Sequence, residues 1–176
     1  MTRRRALRTT GIATAILFVV LAIVDEAIKA SGGPGIVAFE LAGTTERATE
    51  ILGHWGQDGR EAARVSLGID FVYLVVYGVF LTLAVLELRD VARARGWDAY
   101  ARPGTAIAVL PGVAAACDVV EDAGLWLMIE GVGTDPLPPV ATGFAVVKFV
   151  ALAVVAVYLL AGLAALANVR YRRTAA

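Results

Sequence analysis

Residues 140–168 read VATGFAVVKFVALAVVAVYLLAGLAALAN, an apolar run interrupted by one charged side chain, Lys148. A helix needs about 20 apolar residues to cross the hydrocarbon core of a bilayer, and this run exceeds that. Working outward from it, residues 105–130, 66–88 and 10–29 have the same character. The composition agrees. The chain is 59% hydrophobic and 18% charged, with a mean hydropathy of +0.72, whereas soluble domains are about half apolar and a quarter charged. No soluble core of 176 residues hides that much apolar surface, so the bilayer itself is the first partner.

The fold class that follows is all-α. It is a single membrane domain over 1–176, a bundle of four transmembrane helices with an extra amphipathic helix between the first two spans. The first span is the least apolar at its end, where Asp25 and Glu26 stop the run. Thr2-Arg3-Arg4-Arg5-Ala6-Leu7-Arg8 resembles an export signal. However, Ile28 occupies the position where a cleavage site before Ala30–Ser31 needs a small residue, so a retained anchor is expected. Gly and Ala recur in all the spans, as close helix packing in lipid requires. Pro111 is expected to kink the third span or loosen its hydrogen bonding.

Orientation follows from Lys and Arg near the span ends. Arg3, Arg4, Arg5 and Arg8, then Arg89, Arg93, Arg95 and Arg102, then Arg170, Arg172 and Arg173 all fall on one side. The other side holds Arg47, Arg60 and Arg64, with Lys29 at its edge. Both termini are therefore expected in the cytoplasm, with the 31–65 loop outside, in a multi-pass protein of the cell membrane. Only two of the sixteen basic residues are Lys, an Arg bias typical of GC-rich bacterial genomes. Zero formal net charge argues against nucleic acid as a partner. Cys117 is the single cysteine, which excludes an internal disulfide.

The 31–65 loop is patterned. After the flexible Ser31-Gly32-Gly33-Pro34-Gly35, residues 36–52 read as an amphipathic helix inside a lid segment covering 36–55. Phe39, Ala48, Ile51, Leu52 and Trp55 form its apolar side, and Glu40, Glu46, Arg47 and Glu50 its wet side. Gly53, Gly56 and Gly59 break it, and Asp58 with Glu61 reads as a capping box that opens the second span. Glu46, Glu50 and His54, four apart, make a weak candidate metal set. A solvated face is the preferred reading, and no metal or other cofactor is expected.

Charged residues inside the spans carry the functional content. Each costs about 2.5–3.5 kcal/mol at the membrane centre. Span three has Asp118, Glu121 and Asp122 on one helical face, about 8–10 kcal/mol if it faced lipid, so the face must look inward. Span two has Asp70, with Tyr73 and Tyr77 on its stripe. Tyr73 also suits an interfacial belt. Span four has Lys148, about 12 Å deep at 1.5 Å per residue. Glu121 and Asp122 lie at the same depth, so a Lys148–Glu121 or Lys148–Asp122 pair is expected. Nearly all these charges fall in the outer halves of the spans. The bundle therefore reads as a cup, polar above an acidic floor and apolar below, which argues against a continuous ion pore.

The motifs Asp70-x6-Tyr77-Gly78 and Asp118-x-x-Glu121-Asp122, with the stretch from Phe39-Glu40-Leu41 to Trp55, resemble a group of small bacterial four-helix membrane proteins. The likeness covers roughly residues 36–130 and departs at Asp122, where that group is expected to carry Asn. It implies the four-helix fold and no activity. The architecture is also similar to the sterol-isomerase-like fold, with no residue motif behind that analogy.

Three functions stay open. The first is an outward-facing acidic pocket for a small molecule, lipid headgroup, proton or cation, lined by Asp70, Tyr73, Tyr77, Asp118, Glu121, Asp122 and Lys148. The second is an enzyme that acts on a lipid or isoprenoid through a carboxyl acid–base pair. His54 is the only histidine and Cys117 sits deep, so serine–histidine and cysteine–histidine catalysis are excluded. The third is an accessory subunit with a structural polar network. A homo-oligomer fits any of them.

Overall fold

The computed structural model describes residues 2–132 and 135–174, without the side chains of Arg170 and residues 172–174. Arg170, Arg172 and Arg173 of the basic-end count therefore have side chains outside the described set. The described residues are largely helical and contain no strand. The elements are α1 (Arg3–Ala30), α2 (Ile36–Glu40), α3 (Thr45–Arg93), α4 (Asp98–Ala101), α5 (Gly104–Ile107), α6 (Leu110–Ile129) and α7 (Leu137–Thr174). Four segments are long and apolar enough to cross a bilayer: α1, α3, the stretch from α4 through α6, and α7. They match the four expected spans. The start of α1 and the end of α7 lie at one end of the bundle, here the tail end. The 31–65 segment lies at the other, the loop end.

Three features correct or refine the sequence reading. First, residues 36–52 do not form one helix. The chain breaks at 41–44, where Gly43 takes φ 71° and Thr44 starts α3 by accepting a hydrogen bond from the Arg47 N–H (3.2 Å). Thr142 of α7 holds the break. Its hydroxyl donates to the Glu40 carbonyl (2.8 Å) and accepts from the Gly43 N–H (3.0 Å).

Second, the break expected ahead of the second span is present as a single bend at Gly56 (φ 57°, ψ −151°), two residues before Asp58, and helical backbone runs on both sides of it, from Thr45 to Arg93. The Gly56 conformation is open in practice only to glycine. The bend frees carbonyls on its N-terminal side, and Arg60 Nε donates to one of them, on Leu52 (3.1 Å). Third, of the two effects expected of Pro111, the structure shows interrupted helical hydrogen bonding and not a kink in a continuous helix. Pro111 sits in the first turn of α6, where its missing N–H costs nothing. The interruption falls just before it, at residues 108–109.

The apolar side of residues 36–55 is buried as the pattern requires. Phe39, Ala48, Ile51, Leu52 and Trp55 join Ile28, Leu67, Leu125 and Met128 in the loop-end core. Phe39 meets Trp55 edge to face at 4.9 Å, and Trp55 Nε1 donates to the Pro34 carbonyl (2.7 Å). At the tail end Val85, Leu88, Val155 and Tyr158 form a second core, with Tyr100 stacked on Tyr158. Around the bundle, α1 packs along α3, α3 along α6 and α7, and α6 along α7. α1 has no comparable contact with α6 or α7. That asymmetry opens the cavity described next.

Candidate functional site

On α6 the spacing of Asp118, Glu121 and Asp122 places them one turn apart on one face, and they are 3%, 0% and 1% exposed. They turn inward, toward α3 and α7. An accessory subunit that offers its acids to a partner's helices would show them on the lipid side, so this burial speaks against that reading.

Lys148 of α7 reaches into the acids. Its ammonium lies 2.8 Å from Asp118 Oδ1, 2.8 Å from Glu121 Oε2 and 3.4 Å from Glu40 Oε2. The expected Lys148–Glu121 contact is present. The Lys148–Asp122 alternative is not an ion pair, and Asp118 takes that place. Asp118 is satisfied on both oxygens, because Tyr77 donates its hydroxyl to Oδ2 (2.9 Å). Tyr73 packs on Tyr77, with ring centroids 5.1 Å apart.

Glu40, assigned to the wet side of the loop helix, is instead 8% exposed and joins the cluster. The break at 41–44 separates it from the frame of Glu46 and Glu50. Within α2 it stands four residues after Ile36, on that residue's face, which is the signal that would have placed it inward.

A second group overlaps the first. Carboxylate oxygens of Asp70, Asp118 and Asp122 lie within 4.8 Å of one another. Among the described residues, neither Asp70 nor Asp122 has a basic side chain within ion-pair distance. Asp122 Oδ2 is buried and receives no hydrogen bond. Altogether Glu40, Asp70, Asp118, Glu121 and Asp122 face one ammonium. Buried charge this uneven requires protons or a further cation for balance.

These residues border a cavity of about 500 Å³. Of the seven expected site residues, Asp70, Tyr73, Tyr77, Asp118, Asp122 and Lys148 line it. Glu121 does not; it is packed behind Lys148. The acids are not the floor of a cup. They cap the loop end of the cavity under α2, and the space continues toward the tail end between Thr14, Phe18 and Leu21 of α1, Phe80 of α3, and Phe149 and Leu152 of α7. The physical reason is that α1 packs along α3 and has no comparable contact with α6 or α7. Phe18 (61% exposed), Val37 (49%) and Phe149 (38%) stand at its rim on the apolar flank of the bundle.

Glu46, Glu50 and His54 form no comparable group. Glu50 pairs with Arg47 (2.7 Å), and His54 Nδ1 is bonded to the Glu50 carbonyl (2.9 Å). The Arg47 guanidinium holds the exposed Glu50 carboxyl below its usual range.

No protein-family model, curated protein or solved structure matches the chain. The likeness of the span-two and span-three motifs therefore assigns no family, and function has to be argued from the cavity.

Proposed function

We propose that this is a membrane-embedded binding protein for an amphiphile, with the ligand's polar end at the carboxylates and its apolar chain in the cleft between α1 and α7. One observation carries the reading: a single cavity joins the buried acids to apolar walls on the lipid-facing flank. Its volume suits a small ligand, and a site for a wholly water-soluble ligand would not need Phe18, Leu21, Phe149 and Leu152 as its lining. Tyr77, fixed on Asp118, stiffens the polar end. The same arrangement leaves a lateral route from the bilayer, so the ligand need not pass through water. Both termini are assigned to the cytoplasm on the basic residues gathered at the tail end, which puts the acids in the outer leaflet half.

Filling the cleft tests the proposal. Ala22 lines it and is exposed, so Ala22→Trp adds bulk there without entering a packed core. In native mass spectrometry of protein gently extracted from membranes, the unsubstituted chain should carry a bound amphiphile. Ala22→Trp should lose it with the fold intact. Equal retention by both, or no bound amphiphile on either, sinks the reading.

A further inference from the structure

We propose that Asp70, Asp118 and Asp122 bind the ammonium group of a long-chain primary amine that carries no phosphate. This rests on the amphiphile reading above and names the chemistry of the ligand's head.

The protein supplies its own precedent a few ångströms away. The Lys148 ammonium is a primary alkylammonium held among three carboxylates, Glu40, Asp118 and Glu121, at 2.8–3.4 Å. Asp70, Asp118 and Asp122 make a second such trio around the shared Asp118, and this one lines the cavity. An ammonium has three N–H donors, and charge-assisted bonds of about 2.8 Å along three of its tetrahedral directions need acceptors about 4.6 Å apart. The trio's oxygens lie within 4.8 Å of one another.

An acidic cluster alone would not carry this. The independent observation is Asp122, which is 99% buried by its 1% exposure, lines the cavity and has an oxygen with no donor. A buried carboxylate oxygen without a donor is costly, and a ligand N–H removes that cost. Phosphate is disfavoured at the head for a plain reason. In a zwitterionic phospholipid it follows the amine by two carbons, which would bring its charge toward five carboxylates. The apolar walls from Leu21 to Leu152 then take the hydrocarbon chain.

The test uses the full chain purified in an uncharged detergent, with dodecylamine, dodecanol and dodecyl phosphate as probes, read by thermal shift and isothermal titration. Dodecylamine should bind at least tenfold more tightly than dodecanol, and dodecyl phosphate should give no shift. Asp122→Asn should weaken dodecylamine at least tenfold. Asp70→Asn, at a residue without an ion pair, is the second variant should Asp122→Asn fail to fold. A surface control, Glu46→Gln with Glu50→Gln, should change nothing. If it weakens the amine as much as Asp122→Asn does, binding is general adsorption and the proposal fails. Equal binding of amine and alcohol, unaffected by both site variants, overturns the ammonium site and leaves the amphiphile reading standing. Binding of neither removes both. A shift by Mn²⁺ alone that Asp122→Asn abolishes, with none by dodecylamine, would replace the amine with a metal ion.

Discussion

Gly56 and Gly53 lie three residues apart, both are exposed, and a Cβ added to either would meet nothing within 4 Å. They differ in backbone alone. Gly56 has φ 57°, and Gly53 is helical. Gly56→Ala should therefore destabilise by about 1–3 kcal/mol, whereas Gly53→Ala should be neutral or stabilising by about 0.5–1 kcal/mol. Thermal unfolding in detergent separates them, and equal effects would mean that the bend is not held by Gly56. Lys148 works by charge. Among the described residues, Lys148→Met removes the one ammonium paired with Asp118, Glu121 and Glu40, and breaking a buried pair this way costs about 3–5 kcal/mol. Glu121→Gln leaves Lys148 with Asp118 and Glu40, so it should cost under about 1.5 kcal/mol. Because Glu121 lies behind the cavity wall, that variant should also leave amphiphile binding within about twofold, unlike a change at Asp122. A Glu121→Gln protein as unstable as Lys148→Met would contradict this ranking.

At the scale of elements, Thr142 ties α2, the start of α3 and α7 together through one hydroxyl. Thr142→Val strips a donor from the Glu40 carbonyl and an acceptor from the Gly43 N–H at once. The expected cost is about 1–3 kcal/mol, with faster hydrogen exchange confined to residues 36–45. Exchange unchanged there would show that packing of Phe39 and Trp55 suffices to hold the segment. How much of this was legible in the sequence varies with the range of the interaction. The four spans, the inward face of α6 and the Lys148–Glu121 pair follow from periodicity and depth, which are local quantities. The break at 41–44 was legible only in part: Gly43 and the helix-starting Thr44 are local signals, but Thr142, which holds the break, is a hundred residues away. The misplaced Glu40 follows directly from that. The interruption before Pro111 was visible as a proline in a span, but a proline at a helix start and one inside a helix look alike until the preceding turns are built.

For the whole molecule, the decisive property is that α1 rests on α3 and has no comparable contact with α7, which opens the space beside the acids as a cleft on the apolar flank of the bundle. No single residue encodes this. The tail end of α1 is pinned by Arg3 to Asp90 (2.6 Å) and by Arg3 and Arg4 near Glu87, and its loop end by Asp25, which accepts from the Ile36 N–H (2.7 Å) and pairs with Lys29. Orientation is the remaining global property, and it determines which leaflet feeds the cleft. With Cys117 first replaced by Ala, single cysteines at Gln57 (loop end) and Ala94 (tail end) are both exposed positions. A membrane-impermeant maleimide on intact cells should label Gln57→Cys, and should label Ala94→Cys only after the membrane is opened. The reverse pattern would place the acids in the inner half, because the basic residues that cluster at the tail end would then lie outside. The amphiphile would in that case be drawn from the cytoplasmic leaflet, through the same cleft.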